Sequence, residues 1–397
     1  MSQITNIASL YKKVLPVPYL SAISHFTIEF SLNSLPIFYP VLIATMGLSY
    51  QQIGSIALVV SIASTLSQPI FGLLSDRIDR KLFMVFSVTW VGVLVGLMGL
   101  FESYWMVVVI LGLGSLGSAA FHPSGAALAV ESDPNHRGAA AAIFTVSGGL
   151  GTALGPLVVG IGLARIGMKT SLIFIPLALG VTYFLLAQYR SIAVLESKSN
   201  AATKKPQTSN QVNSMALLAL AILIVGARSW FHGGVLTYLP EMLHQDGLST
   251  EKIGLYMAVF MVLSSLGGLF GGILSDKIGR VIIVAISCLL LGPVFWGFLN
   301  LTAIPKLLII AMMGLALGLS FPVTTVMAQE AWPKGIGLAS SLVMGLGWLP
   351  FGVGSWAIGS MADKGSLFSA LSSLVYIPLI SFAAVILYGI ISKKVWK

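Results

Sequence analysis

Five ionisable side chains stand inside long apolar stretches of this 397-residue chain, and its chemistry would be theirs: His25, Glu29, His122, Arg228 and His232. A charge placed deep in an apolar environment costs several kcal/mol, so such residues come with a partner or a task. His25 and Glu29 are four apart, as are Arg228 and His232, which sets each pair on one face of a helix. Glu29, poised by His25 in a low dielectric, would bind and release a coupling proton. Arg228 offers a planar fork of donors to an anionic or strongly polar substrate, with His232, His122, Tyr39 and Trp230 as further substrate-binding residues. Two other readings use the same side chains. Glu29 and Arg228 would form a permanent ion pair, or His25, Glu29, His122 and His232 a mixed nitrogen and oxygen site for a divalent metal. Because Arg228 in that seam would repel a cation, the reading adopted has no metal, and it needs no cofactor.

Positioning these residues falls to helices that cross a membrane. Hydrophobic residues make up 56% of the chain and charged residues 9%, against about 25% charged in a soluble protein. No water-soluble fold hides that much apolar surface. Runs of about 20 apolar residues predict spans near 19 to 45, 50 to 74, 82 to 101, 104 to 130, 137 to 163 and 171 to 189. Six more follow near 214 to 242, 251 to 274, 281 to 300, 306 to 329, 336 to 362 and 367 to 392. The expectation is an all-α membrane protein of twelve transmembrane helices in two pseudo-symmetric six-helix halves, 1–190 and 214–397, with a solvated linker at 191–213.

Of the 22 Lys and Arg residues, sixteen fall on the ends and loops that share a side with both termini, and five on the other. That bias sets both termini and the linker in the cytoplasm. It also accounts for the net charge of +9 without nucleic acid. Residues 1 to 18 carry Lys12 and Lys13 but no small-residue cleavage site, so no removable signal is expected. Cys288 is the one cysteine, which excludes a disulfide within the chain. An enzyme is disfavoured: there is no His-rich cytoplasmic cluster, no Ser-His-Asp set at one face and no phosphate-cradling Gly-Lys loop.

The chain repeats itself. Gly72-Leu-Leu-Ser-Asp-Arg-Ile-Asp-Arg-Lys81 returns as Gly272-Ile-Leu-Ser-Asp-Lys-Ile-Gly-Arg280, and Gly47-Leu-Ser-Tyr-Gln-Gln-Ile-Gly54 as Gly247-Leu-Ser-Thr-Glu-Lys-Ile-Gly254. Each copy sets a charged turn after some twenty apolar and small residues, and it resembles the loop 2-3 motif of the major facilitator superfamily of secondary transporters. Asp79 stands where that motif has Gly; the second copy keeps Gly279. The resemblance implies a gate at the cytoplasmic face, where Asp76 and Asp276 meet the starts of spans 11 and 5. Arg77, Arg80 and Glu131 belong to it in one half, and Arg280 and Glu330 in the other. Glu131 and Glu330 close spans 4 and 10 where Arg80 and Arg280 open spans 3 and 9, so each half carries its own charge cluster. In span 5, which runs Gly148-Gly-Leu-Gly151-Thr-Ala-Leu-Gly155-Pro156-Leu-Val-Val-Gly160, Gly151 and Gly155 stand four apart in a small-residue stripe set for close packing, with Pro156 for a bend; joined to Pro156, the stripe resembles the span 5 motif of drug antiporters.

Ser24-His25 with Glu29, Phe38-Tyr39-Pro40, Gln51-Gln52-Ile53-Gly54, Gln68-Pro69 and Phe121-His122-Pro123 resemble the fosmidomycin-resistance branch of the superfamily. Ser124 stands where that branch commonly has Glu, which removes one candidate carboxylate. The resemblance implies a proton-coupled exporter of small polar or anionic compounds, antibiotics included, working as a monomer in a bacterial inner membrane. A proton-coupled importer of a sugar or organic anion is the alternative, and a divalent-metal transporter the remaining one.

Overall fold

In a computed structural model of the chain, residues 15–75, 77–133, 135–196 and 214–395 are described, and every regular element among them is helical. The first span is two helices, α1 (Val17–Leu32) and α2 (Leu35–Met46), and the second is α3 (Tyr50–Leu66) with α4 (Gln68–Ser75). Next come α5 (Arg80–Leu97), α6 (Tyr104–Glu131), α7 (Arg137–Ile166) and α8 (Phe174–Glu196). After residues 197–213, α9 (Met215–Gln245), α10 (Thr250–Ile278) and α11 (Arg280–Asn300) follow. The last three spans are paired helices: α12 (Lys306–Leu319) with α13 (Phe321–Ala331), α14 (Ile336–Gly345) with α15 (Leu349–Lys364), and α16 (Leu367–Ser372) with α17 (Ile377–Val395).

Eleven stretches of the described residues are long and apolar enough to cross a membrane. One of these, Arg137–Gln188, has 52 residues, which as a single helix would be roughly 78 Å long, more than twice the bilayer core. It holds both α7 and α8, joined by a 3-10 turn at Gly167–Ile173, and Gly167 at φ +59° makes the corner that a side chain would disfavour. The twelve expected spans are therefore present. Five spans are interrupted, and each interruption precedes a proline at the second position of the new helix: Pro36, Pro69, Pro322, Pro350 and Pro378. Proline has no N–H for the turn before it and crowds the carbonyl four residues back. The chain bends there instead of continuing.

The two most extensive helix pairings between the segments before and after 197–213 are α7 with α10 and α3 with α15, and α2 also meets α9. α1 lies against α7 and α6, while α9 lies against α15 and α17. The helices that carry the ionisable pairs are thus flanked by the helices that hold the molecule together.

Candidate functional site

α1 turns His25 and Glu29 to one side, and α6 supplies His122. Glu29 Oε1 is 3.2 Å from His122 Nε2 and 3.8 Å from His25 Nε2. Its other oxygen, Oε2, accepts from Asn33 Nδ2 at 2.6 Å and from Thr152 Oγ1 of α7 at 3.4 Å. His25 Nδ1 lies 2.8 Å from the carbonyl of Phe144. A carbonyl only accepts, so Nδ1 carries a hydrogen and Nε2 is the nitrogen left facing Glu29. The ring stacks on Phe144 at 4.0 Å and stands edge-on to His122 at 5.3 Å.

The glycine stripe explains how α7 comes this close. A methyl group added at Gly148 would fall on the His25 ring, at Gly151 on the carbonyl of Phe26, and at Gly155 on the carbonyl of Phe30 and on Ser34. On its other side, Gly160 and the carbonyl of Pro156 meet Gly254 of α10. The stripe therefore serves two contacts, one placing Phe144 and Thr152 against α1 and one across to α10.

Arg228 lies elsewhere. It is 6% exposed; Nε donates to the carbonyl of Leu317 at 3.3 Å, and the guanidinium sits over the rings of Phe321 at 5.0 Å and Trp348 at 6.0 Å. No carboxylate among the described residues reaches it, and Nη1 is buried without a hydrogen-bond partner among them. Both ring nitrogens of His232, the Ser229 hydroxyl and the Trp348 indole N–H share that condition. Of eight buried side-chain polar atoms without a partner among the described residues, five belong to this one neighbourhood. Buried polar atoms are ordinarily paired, so the concentration sets this neighbourhood apart from the rest of the described core. Phe321 opens α13 and Trp348 immediately precedes α15, so two interrupted spans begin beside the guanidinium. Helix starts favour negative charge.

The expected meeting of Glu29 with Arg228 is absent among the described residues. Glu29 has Asn33, Thr152, His25 and His122 as partners, all from the segment before residue 197; those of Arg228 all follow residue 214. His232 likewise stands with Phe260, Trp348 and Phe351 and not with the other histidines. Trp230 is half-buried and faces Gly354, and Tyr39 is 3% exposed in the core.

At the end where the charged loops lie, Arg80 Nη1 meets Glu131 Oε2 at 2.6 Å and Arg280 Nη2 meets Glu330 Oε1 at 3.0 Å. Asp76 lies outside the described residues, and Arg77 is exposed. Asp276 is 3.8 Å from Arg280, one turn along its own strand of sequence. It makes no hydrogen bond to the described residues of α7, where it was expected to meet the helix start.

The opposite end carries a contact that sequence reasoning missed. Asp363 at the end of α15 accepts the backbone N–H of Tyr50 and of Gln51, each at 2.9 Å. Ser49 Oγ takes the N–H of Gln52 and the Ser49 carbonyl that of Ile53. All four amides at the start of α3 are thereby satisfied, two of them by a residue three hundred positions away. The Tyr238 hydroxyl lies 2.8 Å from the carbonyls of both Tyr50 and Ser355, and Gln245 donates to the Tyr50 hydroxyl at 2.7 Å.

Residues 21–355 match the model of the Major Facilitator Superfamily. The chain belongs to that superfamily. It is a transporter and an integral membrane protein, not an enzyme. An uncharacterised major facilitator transporter, YfnC of Bacillus subtilis strain 168, is 27% identical over 385 residues, 94% of this chain and 93% of that one. The fosmidomycin resistance protein of Escherichia coli strain K12 is 27% identical over 357 residues, 88% and 87%. Among solved structures, a bacterial homolog of the human lysosomal transporter Spinster superposes with a TM-score of 0.73 at 14% identity, over 96% of this chain and 97% of that one.

Proposed function

We propose that this transporter is a secondary active exporter that exchanges protons for small anionic or strongly polar compounds, antibiotics among them, by alternating access. The observation that carries the reading is Arg228: a buried guanidinium with a free N–H and no carboxylate beside it, among other unpartnered polar atoms. An anionic cargo would complete that set, with Arg228 as the fork and His232 and Trp348 as neighbouring contacts. His122, Tyr39 and Trp230 shape the remaining wall. Glu29, between His25 and His122, carries the proton. The likeness to a protein named for fosmidomycin resistance supports export over import.

The moving bodies are the halves 1–190 and 214–397, with 191–213 as their linker. The bias of Lys and Arg sets both termini in the cytoplasm of a bacterial inner membrane, where the protein works as a monomer. Asp76, Arg77, Arg80, Glu131, Asp276, Arg280 and Glu330 form the gate at that face. The α7 stripe with Gly151, Gly155 and Pro156 is the surface on which the halves rock.

The test is Glu29→Gln in proteoliposomes loaded with an anionic test compound. Glutamine keeps size and hydrogen bonding but does not titrate, so substrate binding and downhill exchange should persist while gradient-driven accumulation is abolished. A well-folded Glu29→Gln protein that still concentrates substrate against its gradient would remove the coupling role. Uptake that runs with the proton gradient in right-side-out vesicles would instead make the chain an importer.

A further inference from the structure

We infer that His25, Glu29 and His122 form a binding site for a nitrogen-preferring divalent cation of the zinc type, on the face of α1 turned to α6 and α7. One ligand atom from each of His25, Glu29 and His122 lies within 4.8 Å of the other two, and Glu29 Oε1 faces Nε2 of both histidines. Four ligands held tetrahedrally at zinc distances sit about 3.3 Å apart. The Glu29 to His122 separation, 3.2 Å, already has that value. The Glu29 to His25 separation, 3.8 Å, needs to close by about 0.5 Å.

What lies behind the three atoms argues for ligation as strongly as their spacing. A histidine that binds a metal through one nitrogen has the other held by a carbonyl or carboxylate, which fixes tautomer and ring orientation. The Phe144 carbonyl does this for His25 at Nδ1. A ligating carboxylate is steadied through its second oxygen, and here Asn33 and Thr152 donate to Glu29 Oε2. The groups that would bind are turned inward, while the atoms behind them on His25 and Glu29 are occupied. Gly148 contributes by leaving room for the His25 ring.

Electrostatics permits the ion. Arg228 would repel a cation from a shared seam, but its contacts are Leu317, Phe321 and Trp348 and not Glu29 or the two histidines. One carboxylate and two neutral imidazoles leave a bound dication partly compensated. Imidazole selects zinc-like ions over Mg²⁺ and Ca²⁺, which seek oxygen. Three protein ligands leave a fourth position for water or a substrate group. His122, 31% exposed along its side chain, gives the ion a way in.

The claim holds whichever way the transporter runs and whether or not Glu29 carries a proton, because it rests on ligand geometry. The experiment is an equilibrium titration of the purified full-length protein, its affinity tag removed, with Zn²⁺ against a chromophoric chelator. One equivalent should bind, unaffected by excess Mg²⁺. His25→Ala and His122→Ala should each weaken it at least tenfold, while His136→Ala and His244→Ala, at exposed positions, should leave it unchanged. X-ray absorption of the zinc-loaded wild-type protein should show two imidazole nitrogens, oxygen and no sulfur, and it decides the matter if an alanine variant fails to fold. Absence of a saturable single equivalent, or a site that persists without both histidines, would overturn the inference and leave a hydrogen-bonded triad. No gradient or cargo is involved, so a negative result leaves the transport reading standing; conversely, a failure of Glu29→Gln to uncouple leaves the zinc site standing.

Discussion

α1 and α9 open the two repeats and carry polar pairs at the same spacing, yet their surroundings differ in kind. Every oxygen of Glu29 has partners, drawn from α1 and the Asn33 that caps it, α6 and α7. Along α9, Arg228 Nη1, Ser229 Oγ and both nitrogens of His232 have none among the described residues. An unmet buried polar group destabilises by about 1 to 3 kcal/mol, so α9 holds unrealised interaction energy where α1 holds a completed network. A completed network suits a small ion or proton passed among fixed groups. An incomplete one suits a ligand that brings its own acceptors.

Arg228 offers the sharpest way to break that contrast. Arg228→Met keeps much of the volume and removes the charge, and it should weaken binding of an anionic substrate about 100-fold, since hydrogen bonds to charged groups contribute roughly 1.5 to 3 kcal/mol. Arg228→Lys, which loses the fork, should fall between. The same Arg228→Met protein without substrate should melt at a higher temperature than wild type, because a buried unpartnered charge has gone. A drop in stability by the roughly 3 to 5 kcal/mol of a broken buried ion pair would mean that Arg228 is paired after all, and the two helices would be alike.

The stripe on α7 gives the next effect. Gly151→Ala sets a methyl against the Phe26 carbonyl, a backbone atom that cannot swing aside, so it should destabilise by about 1 to 3 kcal/mol. The displaced α1 takes Glu29 away from Thr152 and His25 away from Phe144. Gly155→Leu should be worse than Gly155→Ala for the same reason. Gly272→Ala, with open space around it, should stay within about 0.5 kcal/mol of wild type. Equal melting temperatures for Gly151→Ala and Gly272→Ala would show that α1 and α7 are not pressed together as described.

Span number, the repeats and the ionisable residues of both clusters were legible in the sequence because hydropathy and spacing are local properties. Which cluster each residue joins was not. His25, Glu29, Arg228 and His232 read as one seam since nothing in a single sequence says how far apart two helices stand. Asn33 was within reach of the same reasoning, being four residues beyond Glu29, the interval that had linked His25. Thr152 and Phe144 were not, because their role depends on glycines that let α7 approach. Asp363 was hidden differently: a lone acid at the end of a span reads as a solvated loop residue, and its partners are backbone amides, which have no sequence signature. The offset that pairs Glu131 with Glu330 sets Ala164 opposite Asp363, so the repeat gave no second copy to flag it.

That one-sided contact carries the smallest prediction. Asp363 gives both oxygens to the start of α3, joining the two repeats at the end away from the charged loops; the Tyr238 hydroxyl, its one hydrogen shared between the carbonyls of Tyr50 and Ser355, and Gln245, which donates to the Tyr50 hydroxyl, add to the contact. Asp363→Asn keeps one acceptor but turns an amide NH₂ toward a backbone N–H and removes the charge that the helix start favours. A carboxylate there contributes about 0.3 to 1 kcal/mol, so its loss should shift the balance between closed and parted forms of this end roughly two- to fivefold. Tyr238→Phe, which strips a hydroxyl from two carbonyls, should shift it in the same direction by about 1 kcal/mol. A cysteine at Ser49, in protein whose buried Cys288 is replaced by serine, would report the change as faster labelling from the side away from the charged loops. Labelling unchanged in both variants would mean that the α3 to α15 packing alone, through Gly54, Gly352 and Gly359, holds this end together, and the asymmetry between the repeats would then lie in their cavities and not in how they close.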